Sequence, residues 1–113
     1  MRYSDLDNKS NERSMKMTCQ VILEFKAKPD AIEGIRSFLR EILPDTRGYA
    51  GCVGLNVTQN QDDPTAFAVV EQWDTRKQYE AYLQGRIDSG VMDKLADMMD
   101  GEPNIRFFNY FGV

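Results

Sequence analysis

The segment "AFAVVEQWDTRKQYEAYL", residues 66–83, decides the fold of this chain. Its first eight residues are mainly apolar and predict a strand that ends at Trp73. Thr75 is followed three residues later by Gln78, the capping-box spacing that starts a helix. The sequence therefore predicts a strand that passes directly into a helix at this point.

A second predicted strand precedes this segment. In "YAGCVGLNVTQN", residues 49–60, the apolar residues Val53, Leu55 and Val57 recur with a period of two, which is typical of a strand with one apolar face. The intervening "QDDPT" is rich in turn-forming residues. The two strands are therefore expected to form a hairpin.

The N-terminal part of the predicted domain holds another strand and a helix. "CQVILEFKAK", residues 19–28, is strand-like and stops at Pro29. In "DAIEGIRSFLREIL", residues 30–43, the apolar spacing indicates an amphipathic helix. Asp30 is its expected N-cap, and Pro44 is expected either to end the helix or to kink it.

The C-terminal part completes the pattern. The helix that follows the hairpin is expected to break near Gly85, with a second piece starting after Ser89, and "NIRFFNYFG", residues 104–112, predicts a last strand. The order strand, helix, strand, strand, helix, strand is the ferredoxin-like βαββαβ arrangement, an α+β fold with a four-stranded antiparallel sheet.

The cysteines and the absence of histidine limit the possible chemistry. In the predicted topology Cys19 and Cys52 lie two strand spacings apart, roughly 10 Å, which is too far for a disulfide. The chain has no histidine, which excludes Ser-His-Asp and Cys-His nucleophiles, histidine zinc sites and histidine-ligated haem within one chain. We therefore expect no histidine-dependent metal or haem site in this chain.

Composition indicates an ordinary globular domain. The 113 residues carry 18 acidic and 14 basic side chains. The resulting net charge of −4 does not favour nucleic acid as a partner. No apolar run approaches the roughly 20 residues that a membrane span needs. Residues 1–16 are polar and aperiodic, and are expected to be a flexible tail before a domain at residues 17–113. Because the N-terminus lacks the apolar segment of a signal peptide, a cytoplasmic location is expected.

The two faces of the predicted sheet differ in what can cover them. Two helices can cover only one face. The residues expected to face the helices are Val21, Leu23, Phe25, Val53, Leu55, Ile105 and Phe107. The residues expected on the opposite face are Ile22, Cys52, Gly54, Asn56, Phe108 and Tyr110. That second face is apolar enough to predict a homodimer with sheet packed on sheet, the alternative being a partly apolar face left in water.

Four segments together resemble the antibiotic biosynthesis monooxygenase (ABM) family of dimeric α+β barrels. They are "KAKPDA", "FLREILPDTR", "GYAGCVGLNV" and "VVEQWDTRKQYEAYL", and the most specific feature is Glu71-x-Trp73 before the capped helix. The resemblance covers roughly residues 17–111. It implies a homodimer of packed sheets and a pocket between sheet and helices in each subunit. It also implies oxygenation of polycyclic aromatic or quinol compounds without metal or flavin, or, in one branch, haem degradation.

The resemblance also suggests site residues. Trp73 matches the family tryptophan, and Tyr79 corresponds to the tyrosine that follows it in cofactor-free aromatic oxygenases. Many members have a histidine where this chain has Tyr82, and the haem-degrading branch has an asparagine near the position of Leu23. In this chain Leu23 is predicted to contact the substrate. These two differences make haem degradation an unexpected activity for this chain.

Oxygenation without a cofactor requires a substrate that gives electrons to dioxygen after losing a phenolic proton. The protein must supply an apolar cavity, hydrogen bonds to the substrate oxygens and a base. Trp73, Tyr79 and Tyr82 have hydrogen-bonding groups that can position such a substrate. Glu71 lies on the Trp73 side of its strand by alternation, and burial would raise its pKa towards that of a useful base. Arg86 is a candidate to bind an anionic substrate oxygen.

The leading hypothesis is a cofactor-independent monooxygenase that acts on a small aromatic or quinol-type compound. The first alternative is a non-catalytic or stress-associated dimeric module that binds a small apolar ligand in the same pocket. The second is a dimeric scaffold in which Trp73, Tyr79 and Tyr82 are only core residues and Glu71 makes a structural hydrogen bond.

Overall fold

The computed structural model describes residues 18–113, so the predicted tail lies outside the described residues. These residues form four strands and three helices. In chain order they are β1 (Cys19–Lys26), α1 (Ile32–Thr46), β2 (Cys52–Gln59), β3 (Ala66–Trp73), α2 (Arg76–Asp88), α3 (Val91–Asp97) and β4 (Asn104–Asn109).

The sheet has the strand order β2-β3-β1-β4, and every neighbouring pair is antiparallel. This confirms the ferredoxin-like α+β fold. Cys19 and Cys52 pair with Trp73 from its two sides, so they lie two strand spacings apart and are both free thiols. None of the helices in residues 18–113 is long and apolar enough to span a membrane.

An irregularity at the start of β2 changes the predicted faces. Cys52 pairs with Trp73 but Gly54 pairs with Gln72, which leaves Val53 as an extra residue. The predictions that Val53 faces the helices and that Cys52 faces away are therefore wrong. Val53 is 53% exposed, whereas Cys52 packs against the core. A single inserted residue exchanges the two faces because side chains alternate along a strand.

Helix α1 differs from its prediction at both ends. Its N-cap position is Ala31 and has no side-chain hydrogen bond, so the prediction of Asp30 as the cap is wrong. The Ala31 amide instead donates to the carbonyl of Lys28 in a turn. At the other end the helix continues through Pro44 to Thr46. Proline removes one backbone donor from the helix, and at this exposed position water can satisfy the carbonyl left without a partner.

Helix α2 begins as predicted and ends later than predicted. The Gln78 amide donates to the Thr75 hydroxyl over 3.2 Å, which confirms the cap. The predicted break near Gly85 is wrong, because the helix runs through that residue to Asp88. The break falls at Gly90, whose φ of 83° is a left-handed conformation that glycine adopts without strain.

The core lies between the helices and one face of the sheet. β1 and β3 alternate between buried and half-buried residues, and the buried set packs with apolar residues of α1 and α3. A second, smaller cluster contains Cys19, Val21, Trp73 and Tyr79. The fold therefore places the Trp73 end of β3 beneath α2.

Candidate functional site

Glu71 and Trp73 lie two residues apart on β3 and point to the same, helix-covered side of the sheet. Trp73 is completely buried, and Glu71 is only 5% exposed. The indole Nε1 of Trp73 donates a hydrogen bond of 3.0 Å to Oε1 of Glu71. The tryptophan therefore holds the carboxyl group in one orientation.

The Glu71 carboxyl has an unusual protonation equilibrium. Burial raises its pKa from 4.5 to about 7, and the hydrogen bond from Trp73 opposes part of that rise. Within residues 18–113 no lysine or arginine forms an ion pair with it. Glu71 is therefore close to half-protonated near neutral pH, as a general acid or base needs to be.

Two tyrosines of α2 pack on the indole. The ring centroid of Trp73 lies 5.6 Å from that of Tyr79, edge to face, and 5.1 Å from that of Tyr82. Tyr79 is 1% exposed, and burial, helped by the nearby Glu71 and Tyr82, raises the pKa of its hydroxyl far above the usual value. Tyr79 therefore keeps its proton at neutral pH and can act as a hydrogen-bond donor.

Arg86, the residue predicted to bind an anionic substrate oxygen, makes contacts with α1, and its role towards a substrate stays a prediction. Its Nη2 donates 3.0 Å hydrogen bonds to the carbonyl of Ile42 and to the hydroxyl of Thr46, and its Nε lies 3.4 Å from the Tyr82 hydroxyl. The guanidinium also lies 5.4 Å from the ring centre of Tyr49. These contacts place Arg86 at the carbonyl end of α1, where the helix dipole favours a cation. Arg86 thus ties α2 to α1.

Sequence reasoning missed Thr46 and Tyr49. Thr46 is fully buried, and its hydroxyl lies 2.8 Å from that of Tyr82. It follows Leu43 by three residues and so extends the buried face of α1, but the expectation that Pro44 ends or kinks the helix hid this signal. Tyr49 packs edge to face on Tyr82 from the loop after the helix, where no periodic pattern identifies it.

A small cavity lies between the sheet and the helices. Its volume is about 30 Å³. The lining residues are Leu23, Phe25, Leu39, Ile42, Leu43, Val69, Glu71, Tyr79, Tyr82, Leu83, Met92 and Leu95. Four of the six predicted site residues therefore line one space, whereas Trp73 and Arg86 support it from outside. This volume is about what one molecule occupies in liquid water, so an aromatic ring can enter the cavity only if a side chain moves.

The residues that could bind a metal are scattered. In the part of the chain that the structure describes, no three histidine, cysteine, aspartate or glutamate side chains come together in a group that could hold a metal ion.

The fold and the site define a ferredoxin-like α+β protein with a buried carboxyl, an indole and two tyrosines beneath its helices. More specifically, the chain belongs to the antibiotic biosynthesis monooxygenase family, whose model matches residues 19–87. The resemblance seen in the sequence is thereby confirmed. No curated protein matches the chain.

Solved structures agree with this fold. A conserved protein from Methanosarcina mazei Go1 has a TM-score of 0.79 at 17% identity, over 88% of this chain and 97% of that one. A proposed antibiotic biosynthesis monooxygenase from Nitrosomonas europaea has a TM-score of 0.71 at 24% identity, over 84% of this chain and 91% of that one. Rv0793 from Mycobacterium tuberculosis has a TM-score of 0.74 at 16% identity, over 83% of this chain and 95% of that one. At these identities the likeness establishes the fold and not the reaction.

Proposed function

We propose that this protein oxidises a small phenol or quinol with dioxygen, without a cofactor, and that Glu71 is the base. The observation that carries this proposal is the buried Glu71 carboxyl, whose pKa is raised to about 7 and which lines a cavity together with two tyrosines. A strongly perturbed titratable group at an internal cavity is a recognised mark of a functional site. Membership of the monooxygenase family supports the same reaction class.

The proposed chemistry needs no external reductant. An unperturbed phenol loses its proton only near pH 10, so at neutral pH it needs a neighbouring base, and a carboxylate with a pKa near 7 can accept the proton as the oxidation proceeds. The phenolate supplies the electrons that reduce dioxygen. One phenol and one dioxygen give one quinone and one water, so that one oxygen atom enters the ring and the other leaves as water.

The other residues then have distinct roles. Tyr79, which stays protonated, donates a hydrogen bond to the substrate oxygen. Trp73 is a positioning residue, because its N–H is already used to orient Glu71. Tyr82 forms a wall of the cavity and is held there by Thr46 through the 2.8 Å contact between their hydroxyls.

Substrate entry requires the cavity to enlarge, and Met92 is the side chain we expect to move. It is only half-buried and belongs to the seven-residue helix α3, which follows the left-handed Gly90. Methionine is unbranched and changes rotamer more readily than the leucines beside it. A shift of Met92 would connect the cavity beside Glu71 with the surface.

Oxygen uptake with a panel of naphthols and hydroquinones tests the reaction. Wild type should consume dioxygen with at least one compound above the rate without enzyme. Replacing Glu71 by glutamine should lower kcat by about 10²-fold or more, the usual contribution of a general base. Glu80→Gln, an exposed change on α2, is the matched control and should keep the wild-type rate. Equal rates for Glu71→Gln and wild type would remove Glu71 as the base.

The mostly apolar lining of the cavity favours a second candidate, a non-catalytic module that holds a small apolar ligand there once a side chain has moved. The small volume of about 30 Å³ and the full burial of Trp73 are also what a scaffold with a closed core would show. Mass spectrometry of the purified protein separates the two candidates. A co-purified apolar compound without oxygen uptake would support binding. If no compound co-purifies and no oxygen is taken up, a scaffold with a closed core would be supported.

We also propose that the protein is a homodimer with sheet packed on sheet. The face of the sheet away from the helices carries half-buried Ile22 and Val70 and 39% exposed Phe108, which no described helix covers. These residues form an uncovered apolar patch among polar neighbours such as Gln20 and Gln72, and a patch of this kind supports an interface. Light scattering should give twice 13.0 kDa, and a species of 13.0 kDa at micromolar concentration would contradict the dimer.

A further inference from the structure

A groove lies on the outer side of α1, between this helix and the edge strand β2. Its volume is about 530 Å³, within the usual range of small-molecule sites. It is lined by Arg36, Leu39, Arg40, Leu43, Pro44, Arg47, Asn56, Val57, Gln59 and Phe67. The groove shares Leu39 and Leu43 with the inner cavity, but Glu71 and the two tyrosines do not line it.

The groove concentrates positive charge in a chain whose formal net charge is −4. Arg36, Arg40 and Arg47 are spaced by four and seven residues, which places them on one side of α1 and its C-terminal end. Among residues 18–113, no aspartate or glutamate lines the groove with them. An anion inside it would therefore meet three guanidinium groups and no lining carboxylate.

Two of these arginines are already directed across the groove by neutral partners on β2. Nη1 of Arg36 donates to the side-chain oxygen of Gln59 over 3.1 Å, and Nη2 of Arg47 donates to the carbonyl of Leu55 over 3.3 Å. Arg36 also approaches Glu33 at 3.7 Å, but that carboxylate is 80% exposed and screens little of the charge.

Arg40 lies between these two arginines along the helix. It is exposed and makes no ion pair with any residue in 18–113. Its guanidinium is therefore available, with donors in the planar arrangement that carboxylate and phosphate accept in pairs.

The floor of the groove is apolar. Leu39, Leu43, Val57 and Phe67 form it, and Val57 remains 38% exposed although it belongs to a strand. An apolar floor beside a row of guanidinium groups suits a ligand with a flat hydrocarbon body and one anionic end.

We propose that this groove binds a small organic anion that has an apolar, ring-sized body and a carboxylate or phosphate head. The body lies on Leu39, Leu43 and Phe67, and the head is held by Arg40 together with Arg36 or Arg47. The site is independent of the proposed oxidation, because none of the groups assigned to that chemistry lines it.

Isothermal titration calorimetry with four probes tests the site. The probes are 2-naphthoate, 2-naphthyl phosphate, the neutral 2-naphthamide and inorganic phosphate. At least one naphthyl anion should bind at least about tenfold more tightly than the amide, as expected for charge-assisted hydrogen bonds. Its affinity should fall as the salt concentration rises. The comparison of the two naphthyl anions identifies the preferred head, and weaker binding of inorganic phosphate alone shows the part played by the apolar floor.

Variants place the binding in the groove. Arg40→Gln should weaken the anion at least about fivefold, and Val57→Glu, which adds a carboxylate at an exposed position, should abolish its binding. Lys77→Gln removes an exposed charge outside the groove and should have no effect, and neither should Glu71→Gln in the inner cavity. Equal affinity for the amide, unchanged binding by Arg40→Gln, or no binding below millimolar concentration would overturn the proposal.

Discussion

The inner cavity and the outer groove lie on opposite sides of the same leucines of α1, yet they have opposite electrostatic character. The cavity contains one carboxyl, shielded from water, whose charge depends on pH near neutrality. The groove contains three positively charged arginines and is open to solvent. Burial controls charge inside, whereas salt controls the strength of the interactions outside. One helix thus separates a place suited to proton transfer from a place suited to anion recognition.

The largest expected effect concerns the stability cost of burying Glu71. Its pKa is about 7 in the folded chain and 4.5 when unperturbed, so between these pH values the folded chain keeps a proton that the unfolded chain has lost. The contribution of Glu71 to stability should therefore be most favourable below pH 4.5 and fall by about 3 kcal/mol as the pH rises through about 7. Urea unfolding at several pH values, for wild type and Glu71→Gln, measures this effect.

Glutamine cannot ionise, so the variant should gain stability relative to wild type as the pH rises through this window. Glu80→Gln, at an exposed position, should follow the wild-type curve. If Glu71→Gln and wild type run parallel from pH 4.5 to 7, the carboxyl is not held in the environment described above.

A somewhat smaller effect should distinguish the buried arginine from those of the groove. Arg86→Leu leaves the Ile42 carbonyl and the Thr46 hydroxyl without their donor, which should cost about 2–3 kcal/mol. Arg40→Leu makes the same chemical change in the groove and should alter stability by no more than about 0.5 kcal/mol. Equal losses in a urea titration would mean that Arg86 does not link the helices.

The features that sequence predicted well are local. Thr75 and Gln78 are three residues apart, so the start of α2 could be recognised from neighbouring letters, and the order of strands and helices followed from periodicity. The extra residue at Val53 could not be predicted from the sequence, because a register irregularity depends on how β2 meets β3 and not on β2 alone. The second helical piece starts after Ser89 as predicted, but the break lies at Gly90, which adopts a left-handed conformation, and not near Gly85, which is helical.

The candidate site divides in the same way. Alternation along one strand was enough to place Glu71 beside Trp73. The direction of Arg86 depends on the position of a different helix, which no pattern within α2 encodes. The row formed by Arg36, Arg40 and Arg47 is visible in the sequence, but the groove exists only because β2 runs beside that face of α1.

An intermediate effect tests whether the inner cavity can open. Met92→Ala should cost about 1–2 kcal/mol, less than for a fully buried methionine because Met92 is half-buried. It should also tighten the binding of 2-naphthol, since the removed atoms leave room beside Glu71. Met98→Ala is the matched control, because Met98 is also half-buried against the core but does not line the cavity. Equal naphthol affinity in both variants would contradict entry past Met92.

The smallest expected effect comes from the repulsion between arginines in the groove. Arg36 and Arg40 are four residues apart on α1, a spacing at which like charges destabilise a helix by about 0.2–0.5 kcal/mol. Arg40→Gln should therefore raise stability by about that amount at low salt, and the gain should disappear at high salt because counter-ions screen the repulsion. Lys77→Gln, outside the groove, provides the comparison in the same thermal unfolding series. A gain that persists at high salt would show that the groove is not a region of uncompensated positive charge.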